Sequence, residues 1–149
     1  PVAHNYLRNL AMNNIETEYV INIDIDFCLN DNDHDGLVDL LQSDKTVRKK
    51  LDSHTMLVLP AFENTYHVEE EDASLAPKDK AEVTEQVKVS KTAEAFHLNK
   101  YFAGHGKTNF EKWYANKTGS IYDTEYEWGF EPYVLAKKDG LPQFWTKFR

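Results

Sequence analysis

Asp24 and Asp26 stand one residue apart at the end of Tyr19–Phe27, YVINIDIDF, an otherwise apolar stretch rich in β-branched residues. Such a stretch predicts a strand buried on both faces, and two carboxylates fit on it only at the carboxyl end, where they can face a cation. Paired carboxylate oxygens suit a hard divalent ion, Mn²⁺ or Mg²⁺, and that ion can bridge them to a nucleotide diphosphate that two anions alone would repel. Asp-x-Asp is short enough to arise by chance in an acidic chain, so its meaning depends on what accompanies it.

A second acidic pattern competes with it. Asp31, Asp33, Asp35 and Gly36 spell the opening half of a calcium loop of the helix–loop–helix type. Gln42 occupies the position that should carry the bidentate carboxylate, and a strand-like segment stands where a helix should lead in. A polar surface turn at Asp31–Gly36 is therefore expected, with Gly36 supplying flexibility before Leu37. The rival functional class is a non-catalytic module, holding calcium through Asp31, Asp33 and Asp35 or binding glycan without transferring it. An oxygen-rich loop would favour calcium, whereas a strand-end pair with open positions favours Mn²⁺ with phosphate.

The chain has 149 residues, 41% of them hydrophobic and 13% aromatic, enough to bury one ordinary core, so one domain or part of one is expected. A formal charge of −8 argues against a general nucleic-acid or anionic-membrane binder. A nucleotide ligand stays compatible with it, because a metal supplies local positive charge. The single cysteine, Cys28, cannot form an internal disulfide and reads as a small buried apolar residue. No apolar run reaches the ~18 residues of a membrane span and no signal peptide is evident, so no membrane contact is expected of this segment. It begins at Pro1 rather than Met and ends at Arg149 after an aromatic cluster, as expected of a fragment. Asn116-Lys117-Thr118 is a glycosylation sequon.

The elements that must position these residues follow from periodicity. Tyr6, Leu7, Leu10 and Ala11 predict a helix over Asn5–Asn14, capped by His4 or Asn5 and stopped at Asn14. Leu37, Leu40, Leu41, Val47 and Leu51 predict one helix or two short ones, and Thr55–Phe62 a second buried strand. Helix, strand, helix, strand implies an α/β layer. Asn64–Pro77 reads as an acidic connector, its run Glu69–Asp72 solvated, and Lys78–Lys88 as a surface helix with Pro77 at its first position.

From Phe96 onward aromatics are dense: Phe110, Trp113, Tyr114, Tyr122, Tyr126, Trp128, Phe130, Tyr133, Phe144, Trp145 and Phe148. Most are expected in the core, although rings interleaved with carboxylates are also how sites grip sugars. Gly104 and Gly106 flank His105, which suggests a backbone that lets a ligand approach closely.

Five motifs occur in order: Asn5-Tyr6-Leu7-Arg8-Asn9-Leu10-Ala11; Asp24-Ile25-Asp26-Phe27; Leu59-Pro60-Ala61-Phe62-Glu63; Gly104-His105-Gly106-Lys107-Thr108-Asn109-Phe110 with Lys112-Trp113; and Phe130-Glu131-Pro132-Tyr133-Val134. Together they resemble glycosyltransferase family 49, the LARGE-type and β-1,4-glucuronyltransferase-like enzymes, over nearly the whole chain. The resemblance implies a GT-A fold, a Rossmann-like α/β domain of which residues 1–149 form a part incomplete at both ends. It also implies Mn²⁺, a UDP-sugar donor, commonly UDP-glucuronate, a glycan or glycoprotein acceptor, and residence in the Golgi lumen within a type II membrane protein. The last two motifs look closer to the glucuronyltransferase half of LARGE than to the single-domain relative. Lys107, the lengthened loop at Lys117–Ser120 and Gln143-Phe144-Trp145 depart from the family pattern, which bears on acceptor specificity more than on metal binding. The uridine-holding first strand and a late metal-binding histidine of related GT-A enzymes are missing, so the fragment alone is expected to be inactive.

Within that resemblance Asp24 and Asp26 are the expected Mn²⁺ ligands, and Arg8 a bidentate partner for the donor's phosphate or carboxylate. Inverting transfer of a glucuronosyl unit, as in matriglycan-type assembly on O-mannosyl glycoprotein, needs one base for the acceptor proton. Glu131, held before Pro132, is the expected base, with Asp123, Glu125 and Glu127 as alternatives. His105, Asn109 and Trp113 are the acceptor-binding candidates, expected to share one cleft with Glu131 beside Asp24 and Asp26.

Overall fold

The computed structural model describes residues 4–30, 32–65 and 76–141. Asp31, the Glu69–Asp72 run, Gln143-Phe144-Trp145 and Phe148 lie outside them. The strands are β1 (Tyr19–Asn22), β2 (Leu57–Leu59), β3 (Phe62–Asn64), β4 (Ala93–Ala95) and β5 (Tyr133–Lys137). The helices are α1 (His4–Asn13), α2 (Asp33–Ser43), α3 (Lys45–Asp52), α4 (Lys80–Glu85), α5 (Phe102–His105) and α6 (Phe110–Ala115). The result is a mixed helix and strand architecture, as the α/β reading requires.

Asn14 stops α1 as expected: its side-chain amide donates to the Leu10 carbonyl at 2.7 Å. The leucine pattern after it resolves into two helices because Asp44 caps the second, its Oδ1 accepting the Thr46 and Val47 N–H groups at 2.8 and 3.1 Å. Val47 and Leu51 then meet Leu135 of β5 in the main core, with Leu37, Leu40, Leu41, Ile21 and Leu57 around them.

The three-stranded sheet has the order β1-β5-β2. Both outer strands run antiparallel to β5, from Tyr19 opposite Lys137 to Asn22 opposite Val134, and from Leu57 opposite Leu135 to Leu59 opposite Tyr133. β1 and β2 are thus parallel to each other, joined through α2 and α3, with the late strand inserted between them. The sequence pattern at Tyr133–Lys137 had not singled out this strand, although it is the one bonded on both sides.

Several expectations are corrected. The Tyr19–Phe27 strand ends at Asn22, leaving Ile25 fully exposed. Extending the register would set Asp24 opposite Pro132, which has no N–H to give the ladder. β1 is an edge of this sheet, and the aspartates occupy the loop beyond it. Thr55–Phe62 is broken at Pro60 into β2 and β3, and β3 pairs antiparallel with β4 in a second sheet, Phe62 opposite Ala95. The charged helix starts at Lys80 behind the cap Asp79, not at Pro77, and passes into a π-helical turn at Gln86–Ser90. Cys28 is exposed.

The expected turn at Asp31–Gly36 is also corrected, since Asp33, Asp35 and Gly36 lie in the opening of α2. Acidic side chains in a first turn complement the helix dipole, which explains them without calcium. No helix among the described residues is long and apolar enough to cross a membrane.

A Cβ built on Gly36 meets nothing within 4 Å. Gly36→Ala should therefore raise stability by about 0.5–1 kcal/mol in urea unfolding, because alanine loses less backbone freedom in a helix. A loss of stability would restore the turn.

Candidate functional site

Asp24 and Asp26 are both exposed on the loop that leaves β1. The Phe27 N–H reaches back to the Asp24 carbonyl at 3.2 Å, closing a turn with Ile25 and Asp26 in its middle. The Phe27 ring anchors this turn, packing edge-on against Phe96 at 4.6 Å and against Tyr133 at 4.7 Å between centroids. The Tyr133 hydroxyl donates to Asp24 Oδ2 at 3.1 Å, while Arg8 of α1 lies 3.7 Å from Asp24 Oδ1. Burial, the Asp24 hydrogen bond and the charges of Asp24 and Asp26 all push the Tyr133 phenol up, so it remains a donor.

His105 closes the other side. It is 7% exposed and sits near the rings of Phe96 and Tyr133, at 5.1 and 6.0 Å. Burial pushes its imidazole below the ordinary histidine range, His97 adds to that, and Glu131, Asp24 and Glu63 oppose it. Glu131 is exposed, but its N–H donates to the Gly104 carbonyl at 2.9 Å, which fixes its backbone against α5. Asp24, Tyr133, His105 and Glu131 thus gather around one end of the sheet, with Arg8 beside Asp24. The glycines flanking His105 let rings pack close to the backbone: a Cβ on Gly104 would come within 2.7 Å of the Tyr101 ring, and one on Gly106 within 2.6 Å of Phe102.

Asn109 and Trp113 are engaged elsewhere. Asn109 takes a left-handed backbone, φ 54°, and caps α6 by accepting the Lys112 N–H at 3.1 Å. The Trp113 ring packs against Phe62 and Tyr114 at 5.1 and 5.3 Å, with the Lys80 ammonium 4.5 Å from its centre. The alternative bases lie on an exposed strap before Phe130. Asp123 pairs with Lys50 and Glu127 with Lys107, both at 2.7 Å, and Glu125 is exposed between them. The hydrogen bond from Lys50 holds the Asp123 carboxyl below its usual range, which weakens it as a base. Lys107 ties down the strap through Glu127, and the loop at Lys117–Ser120 turns at Gly119, where φ is 78°.

Among the described residues no group of three or more His, Cys, Asp or Glu side chains is placed to hold a metal. Asp24 and Asp26, two exposed carboxylates one residue apart, nevertheless carry the oxygen donors that a hard cation takes. Tyr133 was not read as a site residue from the sequence, and its signal was its place in Phe130-Glu131-Pro132-Tyr133-Val134.

A family profile described as "Glycosyl-transferase for dystroglycan" matches residues 1–149. The chain belongs to this family. It is 34% identical over 144 residues to the xylosyl- and glucuronyltransferase LARGE1 of Gallus gallus and 32% identical to that of Homo sapiens, each match covering 97% of this chain and 17% of the relative. The glycosyltransferase-like protein LARGE of Caenorhabditis elegans is 30% identical over the same share of this chain and 21% of its own. The chain thus spans about a fifth of the length of these relatives.

With its charged form disfavoured by burial, His105 should be neutral at pH 7 and titrate below about 6.5 by NMR in the full-length protein. The stability it contributes is present above its unfolded pKa and is lost as pH falls through the folded one. A midpoint above 6.5 would contradict this environment.

Proposed function

We propose that the chain is part of a GT-A-type domain that transfers a glucuronosyl unit, with inversion, from a UDP-sugar to a glycan hydroxyl. The acceptor in this reading is an O-mannosyl glycoprotein, and the parent a type II membrane protein facing the Golgi lumen. The observation that carries the proposal is the Tyr133–Asp24 hydrogen bond, which joins residues 109 positions apart. Glu131 is two residues before Tyr133, a span of at most about 7 Å, so the expected base is tied to the expected metal loop. The names of the relatives, xylosyl- and glucuronyltransferase, support the donor class, and the family's description supports a glycoprotein acceptor.

Asp24 and Asp26 would hold Mn²⁺, which when bound offsets the negative charge on the departing UDP. Arg8, already drawn to Asp24, would meet the donor's phosphate or carboxylate. The acceptor oxygen bonds to the anomeric carbon as the bond to UDP breaks on the opposite face, and Glu131 takes the acceptor's proton. His105, 7% exposed and with its charged form disfavoured by burial, would place no competing positive charge beside the acceptor. Asn109 caps α6 and Trp113 packs on β3, so in this reading neither joins the Asp24–Glu131 group.

In the full-length protein Asp26→Asn should abolish Mn²⁺-dependent transfer while leaving the circular dichroism spectrum unchanged, since it removes charge at nearly constant volume. Glu131→Gln should lower kcat by about 10²–10⁴-fold with little change in donor KM. Turnover near the parent's rate in either variant would exclude that residue's role.

A further inference from the structure

We infer that Tyr133 is a positioning residue whose hydroxyl sets the orientation of Asp24 for cation binding, an inference that rests on Asp24 being a ligand of the proposed metal. Tyr133 is 8% exposed and lies at the start of β5, opposite Leu59 of β2. Its ring is confined by Phe27, Phe96 and His105, and its hydroxyl donates to Asp24 Oδ2 at 3.1 Å. The same ring therefore touches both ends of the Asp24–Phe27 turn, one through the hydrogen bond and one through the Phe27 face. An aspartate on an exposed loop would otherwise sample several rotamers and lose that freedom on ligation. Arg8 does not fix it, because 3.7 Å is beyond a hydrogen bond and the pair is exposed. Groups that hydrogen-bond to metal-ligating side chains typically change metal affinity about 10–100-fold when removed. A phenylalanine would fill the same aromatic site and donate nothing, so the hydroxyl can be tested apart from the packing.

The test is Mn²⁺ binding to the full-length protein in the presence of UDP, read from the signal of free Mn²⁺ by electron paramagnetic resonance. The Mn²⁺ population lost in Asp24→Asn defines the site. Tyr133→Phe should weaken binding at that site about 10-fold or more, with the melting temperature unchanged. The double variant should bind no more weakly than Asp24→Asn alone, because the hydroxyl acts through that carboxylate. Parent-like affinity in Tyr133→Phe beside a clear loss in Asp24→Asn would overturn the positioning role and leave the metal assignment standing. A further loss in the double variant would also overturn it, marking general damage to the fold. Parent-like affinity in both single variants would remove the metal assignment and the inference together.

Discussion

The insertion of β5 between β1 and β2 is the constraint on which the rest of the structure depends. β5 is bonded along both edges and covered on both faces, with Tyr133, Val134, Leu135 and Ala136 all buried. Leu135 reaches the helices through Val47 and Leu51, so the same strand that joins the sheet also closes the core beneath it. Its entry sets the limits of its neighbours. Pro132, just ahead of β5, cannot extend the ladder to Asp24, and the chain beyond Asn22 leaves the sheet as a loop. The exposure of the two aspartates follows from a proline more than a hundred positions later in the sequence.

The aromatic residues divide into two groups with different work. Phe27, Phe96, His97, His105 and Tyr133 pack together and hold the aspartate loop against the end of the sheet. Phe62, Phe110, Trp113 and Tyr114 form a second group that fastens α6 to β3. Phe62 and Phe96 lie on or next to the β3–β4 pair, so this small second sheet links the two groups. Trp113 and Asn109 are consumed by the second group and the helix cap, whereas His105 belongs to the first.

Charge is distributed accordingly. Asp123 and Glu127 are matched with lysines that tie down an exposed strap, and Asp52 collects Lys137 and Tyr19 at the opposite end of β5. Such exposed pairs contribute little each to stability, but they decide which carboxylates are already committed to lysines. At the aspartate loop the partners of Asp24 are instead a phenol and a guanidinium, one at each carboxylate oxygen.

The sequence by itself determined the local pieces. The leucine spacing was enough for helix across α2 and α3, Asn14 for the end of α1, and five ordered motifs for the family, because periodicity, caps and motif order are properties of neighbouring residues, whereas the division at Asp44 was left open. It did not determine what depends on partners distant in the chain. Ala93–Ala95 has little intrinsic strand preference and became β4 only by pairing with Phe62–Asn64. Asp33–Gly36 read as a turn until the helix they begin was given a core to pack on, and which rings lie against the glycines beside His105, Tyr101 and Phe102, was decided by packing. The meeting of Tyr133 with Asp24 was decided by tertiary structure alone, since only the antiparallel register of β5 brings that hydroxyl to that carboxylate.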